Sequence, residues 1–167
     1  TGSVVGIHLW VDFGADKNVR FSAGWFNGAG QFFNNGQFFI QIGWKGEVSG
    51  RTMNLKVFGY LDKTLPTGSG SDDTDAGGGV VWDWMATNKI GLFVKIAANG
   101  SDFNPVELDA SVGAVVNGLV GSRPDDQLGV AAGFIALNDD FAFPEDTELV
   151  LEVFYRAALE GGKLHAT

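Results

Sequence analysis

Apolar residues alternate with polar or small ones along most of the chain, in nine segments of about ten residues each. In the first segment, Ile7, Leu9 and Val11 share one face while His8 and Asp12 share the other. Alternation with a period of two residues is the pattern of a β-strand that has one apolar face. We therefore predict nine strands, over residues 5–13, 19–25, 37–45, 53–61, 76–85, 89–96, 106–116, 128–136 and 148–157, and expect a tenth to begin near Lys163.

The connections between these strands alternate in length. The pattern predicts short turns at residues 14–17, 46–49, 86–88 and 159–161, and longer polar connections at residues 27–35, 62–75, 98–105 and 138–146. Outer-membrane barrels combine short turns at one end with longer loops at the other, so the alternation favours such a barrel.

One connection departs from this alternation, because Asn117–Asp126 spans about ten residues where a short turn is due. Pro124 fixes one backbone angle, and the carboxylates of Asp125 and Asp126 can accept hydrogen bonds from backbone amides. Arg123 lies beside both carboxylates and can pin the turn through charge-assisted bonds. The segment is either a plug or constriction element or a rigid structural turn, and we favour the structural turn.

Two all-β architectures share this alternation: an antiparallel transmembrane barrel and a soluble sandwich. Strands near ten residues exceed the usual five or six, and one face of most strands lacks charge along its whole length. Aromatic residues also lie near strand ends, as in the girdles of membrane barrels; these are Phe13, Trp25, Trp44 and Tyr155. The pattern therefore favours the barrel over the soluble sandwich.

Composition agrees with a β protein and narrows the classes of partner. The 167 residues, which we expect to form one domain, include 25 glycines, 14 phenylalanines and five tryptophans but only four prolines and no cysteine. The net charge is −9 and the basic residues are scattered singly, so a nucleic-acid partner is not expected. No run of 18 apolar residues is present, so we expect no transmembrane helix. No signal peptide opens the sequence, so we expect a mature or internal segment.

The residues needed for most catalytic and metal sites are scarce. With two histidines and no cysteine, we expect no catalytic triad, no metal site and no cofactor. Glu107 and Asp109 lie two residues apart on one strand, about 7 Å by strand rise, a separation that an inverting glycosidase can use. Charged residues on the neighbouring strands are explained together by a polar channel wall. We therefore predict a channel and not an enzyme.

Three segments of the second half are specific enough to suggest a family. They read Asn104-Pro105-Val106-Glu107, then Gly121-Ser122-Arg123-Pro124-Asp125-Asp126, then Glu148-Leu149-Val150-Leu151-Glu152-Val153-Phe154-Tyr155-Arg156-Ala157. In order and spacing they resemble the carbohydrate-selective porin family, the OprB type. A weaker resemblance extends through Gly24–Gly28 and Gly91–Lys95.

This resemblance implies a sixteen-stranded antiparallel barrel in a bacterial outer membrane, through which sugars and other small solutes diffuse passively. Only nine or ten strands are predicted here, so we favour a part of a larger porin over a reduced relative. The resemblance implies outer-membrane lipid and small saccharides as partners and leaves a homo-oligomer open. A soluble carbohydrate-binding sandwich and a structural envelope barrel with a blocked lumen remain the alternatives.

Polar faces of the predicted strands give the expected lining of the channel. The pore-lining residues predicted are Asp12, Arg20, Gln41, Lys45, Lys56, Lys95, Glu107, Asp109, Glu148, Glu152 and Arg156. Charges of both signs nearly cancel on these faces, so we expect neutral sugars to pass without strong selection by charge. The aromatic rings of Trp82 and Phe93 are expected to offer a face to a sugar.

Overall fold

The computed structural model of the chain describes residues 6–14, 16–27, 36–62, 74–100, 104–120, 122–139, 141–159 and 162–163. These residues form β-strands joined by turns, and they include no helix that is long and apolar enough to span a membrane. The strands are β1 (Gly6–Phe13), β2 (Val19–Asn27), β3 (Gly36–Val48), β4 (Arg51–Asp62), β5 (Asp75–Met85), β6 (Ile90–Asn99), β7 (Val106–Asn117), β8 (Gln127–Leu137), β9 (Thr147–Arg156), β10 (Ala158–Leu159) and β11 (Gly162–Lys163).

Strands β1 to β9 form one sheet in which each strand is antiparallel to the next along the chain. The nine predicted strands are thereby confirmed, as is the all-β antiparallel fold class. Near Lys163, where a tenth strand was expected to begin, β11 pairs with β10 in a hairpin of two residues on each side, and residues 164–167 lie outside the described residues. Much of the predicted long connections, residues 28–35, 63–73 and 101–103, lies outside the described residues.

The strand register keeps the apolar positions of all nine strands on one face. One row of paired residues crosses the whole sheet; it consists of Val11, Phe21, Ile42, Val57, Val80, Ile96, Ala110, Phe134 and Leu149. Among the described residues, the only charged side chain that the register places on this face is Arg51, which lies beside the β3–β4 turn. This apolar face is therefore continuous across the sheet.

The apolar face is not covered by a second layer of the described chain. No apolar side chain in the described part is buried, and on β9 the side chains of Leu149, Leu151 and Val153 are 82%, 84% and 72% exposed. A soluble sandwich packs two sheets face to face, about 10 Å apart, and buries such residues between them. The described residues thus have the single layer of a barrel wall and lack the core that a sandwich requires.

The β3–β4 turn differs from its prediction. Ser49 and Gly50 both have positive φ, 54° and 70°, and connect strands that extend to Val48 and Arg51. A two-residue turn with positive φ at both positions twists in the same sense as the strands it joins, which favours a tight hairpin. The turn predicted at residues 46–49 is therefore too early in the chain, and the Ser-Gly pair was the signal for the correct position.

On the opposite, polar face, aromatic rings lie over glycines of the neighbouring strand. In each of these pairs the two residues are partners in register, and a Cβ atom on the glycine would overlap the ring. The pairs are Phe26 with Gly6, Phe39 with Gly24, Phe58 with Gly79, Tyr60 with Gly77, Phe93 with Gly113 and Phe154 with Gly129. Rings that cover glycines shield backbone and fix the register of adjacent strands.

Candidate functional site on the polar face of the sheet

The register brings the predicted pore-lining residues to the polar face, with the exception of Glu107. Asp12 pairs directly with Arg20, and Lys95 pairs with Ser111. Glu152 pairs with Ala131. The same alternation places the remaining residues of this set on the polar face: Gln41, Lys45, Lys56, Asp109, Glu148 and Arg156. That this face lines a lumen stays a prediction.

Glu107 occupies a β-bulge. Val106 pairs with Leu137 and Leu108 pairs with Ala136, so two steps along β7 match one step along β8. An extra residue in one strand shifts the alternation on one side of the bulge. The alternation over residues 106–116 predicts Val106 on the apolar face, but Val106 pairs with Leu137, a residue of the polar face. The regular spacing of Glu107 and Asp109 that a glycosidase pair would use is interrupted.

Cationic side chains gather on the polar face of β1 to β4. Gly43 lies between Arg20 and Lys56 in the register, and Lys45 follows two residues along β3. Together with Lys17 from the β1–β2 turn, these side chains line a depression of about 280 Å³. We call this feature the basic depression and define it by Lys17, Arg20, Gly43, Lys45 and Lys56.

Among the described residues that line the basic depression, Asp12 is the one carboxylate. Arg20 donates to it through Nε at 2.7 Å and through Nη2 at 3.0 Å. This two-pronged geometry is the strongest form of a charge-assisted bond, and it fixes the orientation of the guanidinium. Asp12 therefore neutralises Arg20. Of the three lysines only Lys17 also interacts with the charge of Asp12, and none of them makes an ion pair with a described residue.

Carboxylates gather on the polar face at the other side of the sheet, on β7 to β9. Asp109 and Glu152 line a depression of about 300 Å³, and Glu148 lies further along β9. Lys95 Nζ lies 2.5 Å from Asp109 Oδ2. The charges that nearly cancel in the sequence are thus unevenly distributed: Arg20, Lys45 and Lys56 lie toward β1, whereas Asp109, Glu148 and Glu152 lie toward β9. Asp12 and Arg156 are the exceptions on the two sides.

The family-motif turn Arg123–Asp126 is held by Asp126, whose side chain is only 2% exposed. Its carboxylate accepts hydrogen bonds from Arg123 Nε at 2.5 Å and from the Ala158 amide at 2.9 Å, and also from Tyr155 Oη. These bonds, that of Arg123 foremost, lower the pKa of Asp126 to about 2. The neighbouring Pro124 and Asp125 are exposed. The prediction of a rigid turn missed Tyr155 and Ala158, because they come from beyond the motif.

A second polar cluster, not predicted from the sequence, lies at the end of the sheet opposite the short turns. Tyr60 Oη donates to Asn99, and Asn104 Nδ2 donates to Asp75 Oδ2 at 3.2 Å. Asn138 Nδ2 donates to the Asn104 carbonyl at 3.1 Å. The cluster joins β4, β5 and β6 to the segments before β7 and after β8. Only Asn104 belongs to a segment singled out in the sequence, and its partners could not be predicted, since these residues meet only through the register.

The two aromatic residues expected to face a sugar lie on different faces. Trp82 pairs with Leu55 and Val94 on the apolar face, so the prediction that it lies on the polar face with Phe93 was wrong. Phe93 lies on the polar face, over Gly113. Gly77 and Gly79 sit on the polar face of β5, and their lack of side chains obscured the alternation of that strand.

Comparison with known families gives a match over residues 10–162 to the model described as "Carbohydrate-selective porin, OprB family". The chain belongs to the OprB family of carbohydrate-selective porins. A solved structure of Pseudomonas putida OprB at high pH superimposes with a TM-score of 0.73 at 18% identity, over 90% of this chain and 49% of that one. The chain thus spans about half the length of that porin. Comparison with curated protein sequences finds no match.

Membership of the OprB family explains two features of the sheet, its exposed apolar face and its two edge strands. The similarity to the solved OprB shows that the nine strands follow the course of a porin barrel wall. Strands β1 and β9 each pair on one side within the described residues. In a closed barrel such edge strands pair on both sides, because unpaired backbone groups cannot face lipid.

Proposed function

We propose that this chain forms part of the wall of an outer-membrane channel through which sugars and other small solutes diffuse passively. In this arrangement the apolar face meets lipid and the polar face lines a water-filled lumen. The observation that carries the proposal is the separation of the two faces. One face is free of charge across nine strands apart from Arg51, whereas the predicted lining residues other than Glu107 share the other.

Passage through such a lumen requires the solute to exchange bonds with water for bonds with the wall. Arg20, Gln41 and Glu152 offer donors and acceptors to sugar hydroxyls, and these contacts are individually weak because the side chains are solvated. Weak contacts at many positions let a solute enter and leave again. Transport then follows the concentration difference and needs neither ATP nor a proton gradient. Family and fold support a channel in preference to an enzyme.

The experiment that tests this function is liposome swelling with the complete porin. Proteoliposomes loaded with an impermeant polymer are diluted into isotonic glucose or sucrose, and light scattering reports solute entry. We expect swelling with both sugars, faster for the smaller one, and none in protein-free liposomes. Absence of swelling with either sugar, beside normal swelling with a general porin, would refute the channel and favour a structural envelope barrel.

A further inference from the structure

Cations outnumber carboxylates among the described side chains that line the basic depression, by four to one. Its one carboxylate, Asp12, is bound by Arg20 through two hydrogen bonds. Lys17, Lys45 and Lys56 make no ion pair with any described residue. Asp83, on β5, accepts a hydrogen bond from the neutral amide of Asn54 at 2.6 Å and makes no ion pair with Lys45 or Lys56. The depression thus keeps a local excess of positive charge on a chain whose net charge is −9.

The spacing of these cations suits one small ligand. Neighbouring strands lie about 4.8 Å apart, so Arg20 and Lys56, one strand to either side of Gly43, are about 10 Å apart at their Cα atoms. Lys45 is about 7 Å from Gly43 along β3. Long, flexible lysine side chains can reach inward over this distance. Gly43, with no side chain, leaves the floor of the depression open.

Lys17 adds an independent observation. Its φ is +51°, in the left-handed region, where glycine and asparagine are favoured and lysine is disfavoured. Two backbone hydrogen bonds nevertheless hold the turn in place. The Lys17 amide donates to the Gly14 carbonyl at 3.1 Å, and the Lys45 amide donates to the Asn18 carbonyl at 2.7 Å. A disfavoured residue at a fixed position that lines a cavity points to a role for its side chain.

From these observations we infer that the basic depression binds small solutes that carry a phosphate or carboxylate group. Lysine is a common phosphate ligand that acts as a point charge, and the guanidinium held by Asp12 still has donors free for an oxyanion. The channel would then retain acidic sugar derivatives in addition to passing neutral sugars. This inference rests on the proposed function, because it requires the polar face to line the lumen.

Inorganic phosphate is the probe for the test, applied to the complete porin in planar lipid bilayers. Single-channel current in potassium chloride is recorded while phosphate is added, and the half-blocking concentration is measured. For the double variant Lys45→Gln/Lys56→Gln we expect that concentration to rise about tenfold, because two cationic donors are lost. Lys89→Gln, which removes one lysine charge in the exposed β5–β6 turn, is the control for loss of positive charge elsewhere and should change that concentration less than about twofold.

A second variant separates binding from folding. Lys17→Asn removes the charge but suits the left-handed backbone of the turn, so it should fold at least as well as the parent and still weaken the block. The inference is overturned if phosphate does not block the parent channel. It is also overturned if the half-blocking concentrations of Lys17→Asn and of the double variant equal that of Lys89→Gln. Glucose swelling is measured for every variant. If the parent channel shows no glucose swelling, the proposed function is contradicted. If the parent swells in glucose but is not blocked by phosphate, only this site is contradicted.

Discussion

At the scale of single residues, Asp126 shows how one carboxylate can organise a connection of about ten residues. It is the most deeply buried side chain of the described part, and its bonds come from the turn itself, from β9 and from β10. Gly118 closes the same turn with φ +60°, where a Cβ atom would lie 3.0 Å from the Pro124 carbonyl oxygen. A charged acceptor with three donors costs less to bury than an unpaired one, which explains its position.

The pH dependence of this turn follows from the lowered pKa of Asp126. Because the pKa falls from 3.8 to about 2 on folding, the ionised carboxylate stabilises the turn fully above about pH 4, and this contribution is lost as the pH falls toward 2. The amide resonance of Ala158, followed by NMR with labelled alanine, should report the change with a midpoint near 2. In Asp126→Asn the transition should be absent, and in Asp125→Asn it should remain. A midpoint near 3.8 would contradict the buried carboxylate network.

At the scale of strands, the glycines of the polar face differ in what covers them. Gly129 lies under the Phe154 ring, whereas Gly133, on the same face of β8, has its nearest neighbour, Val150 Cβ, 3.6 Å from the position of a Cβ atom. We expect Gly129→Ala to lower the free energy of unfolding by about 1–3 kcal/mol, because the ring must move. Gly133→Ala should lower it by less than about 0.5 kcal/mol. Urea unfolding from lipid vesicles measures both, and equal costs would show that the ring does not lock the strands.

Adjacent residues of β8 test which face meets lipid. Val130 lies on the apolar face, while Ala131 lies on the polar face opposite Glu152. An arginine on the lipid side near the membrane centre costs about 2–4 kcal/mol, so Val130→Arg should be destabilised by that amount. Ala131→Arg should cost less than about 1 kcal/mol, because its charge can remain in water near a carboxylate. The same unfolding titration compares them, and similar penalties would reject the assignment of the two faces.

At the scale of the whole molecule, the number of strands restricts how the sheet can close. Strands β1 and β9 run in the same direction, since each of the nine is antiparallel to the next. Antiparallel closure therefore needs an odd number of further strands, which gives the even total usual for bacterial barrels. The exposed side chains of Leu9 and Leu151, on the outermost strands, lie on the face assigned to lipid.

Closure has a measurable consequence for backbone amides. In the complete porin, the amides of β1 and β9 should be as protected from hydrogen exchange as those of β5, which pairs on both sides here. Exchange followed by mass spectrometry in detergent micelles compares the three strands, with the β5–β6 turn as the unprotected reference. Rapid exchange confined to β1 and β9 would show a sheet that stays open.

Sequence reasoning succeeded where the determining interaction is local. Alternation with a period of two residues is visible within any one strand, so the nine strands and most of their faces were predicted correctly. It was wrong at Trp82 and at Val106, where glycines and a β-bulge hide or shift the period. It placed the β3–β4 turn too early, because a turn of two residues leaves only a dipeptide as its signal.

The sequence by itself determined that this chain forms strands with one charge-free face, because that property depends only on the order of neighbouring residues. Which charged residues meet was decided by the tertiary structure. Arg20 and Lys56 lie far apart in the chain and are brought to either side of Gly43 by the pairing of three strands. Tyr155 reaches Asp126 in the same way, across β8 and β9. Such contacts depend on the register between strands, and register is fixed by turns, bulges and ring–glycine pairs acting together.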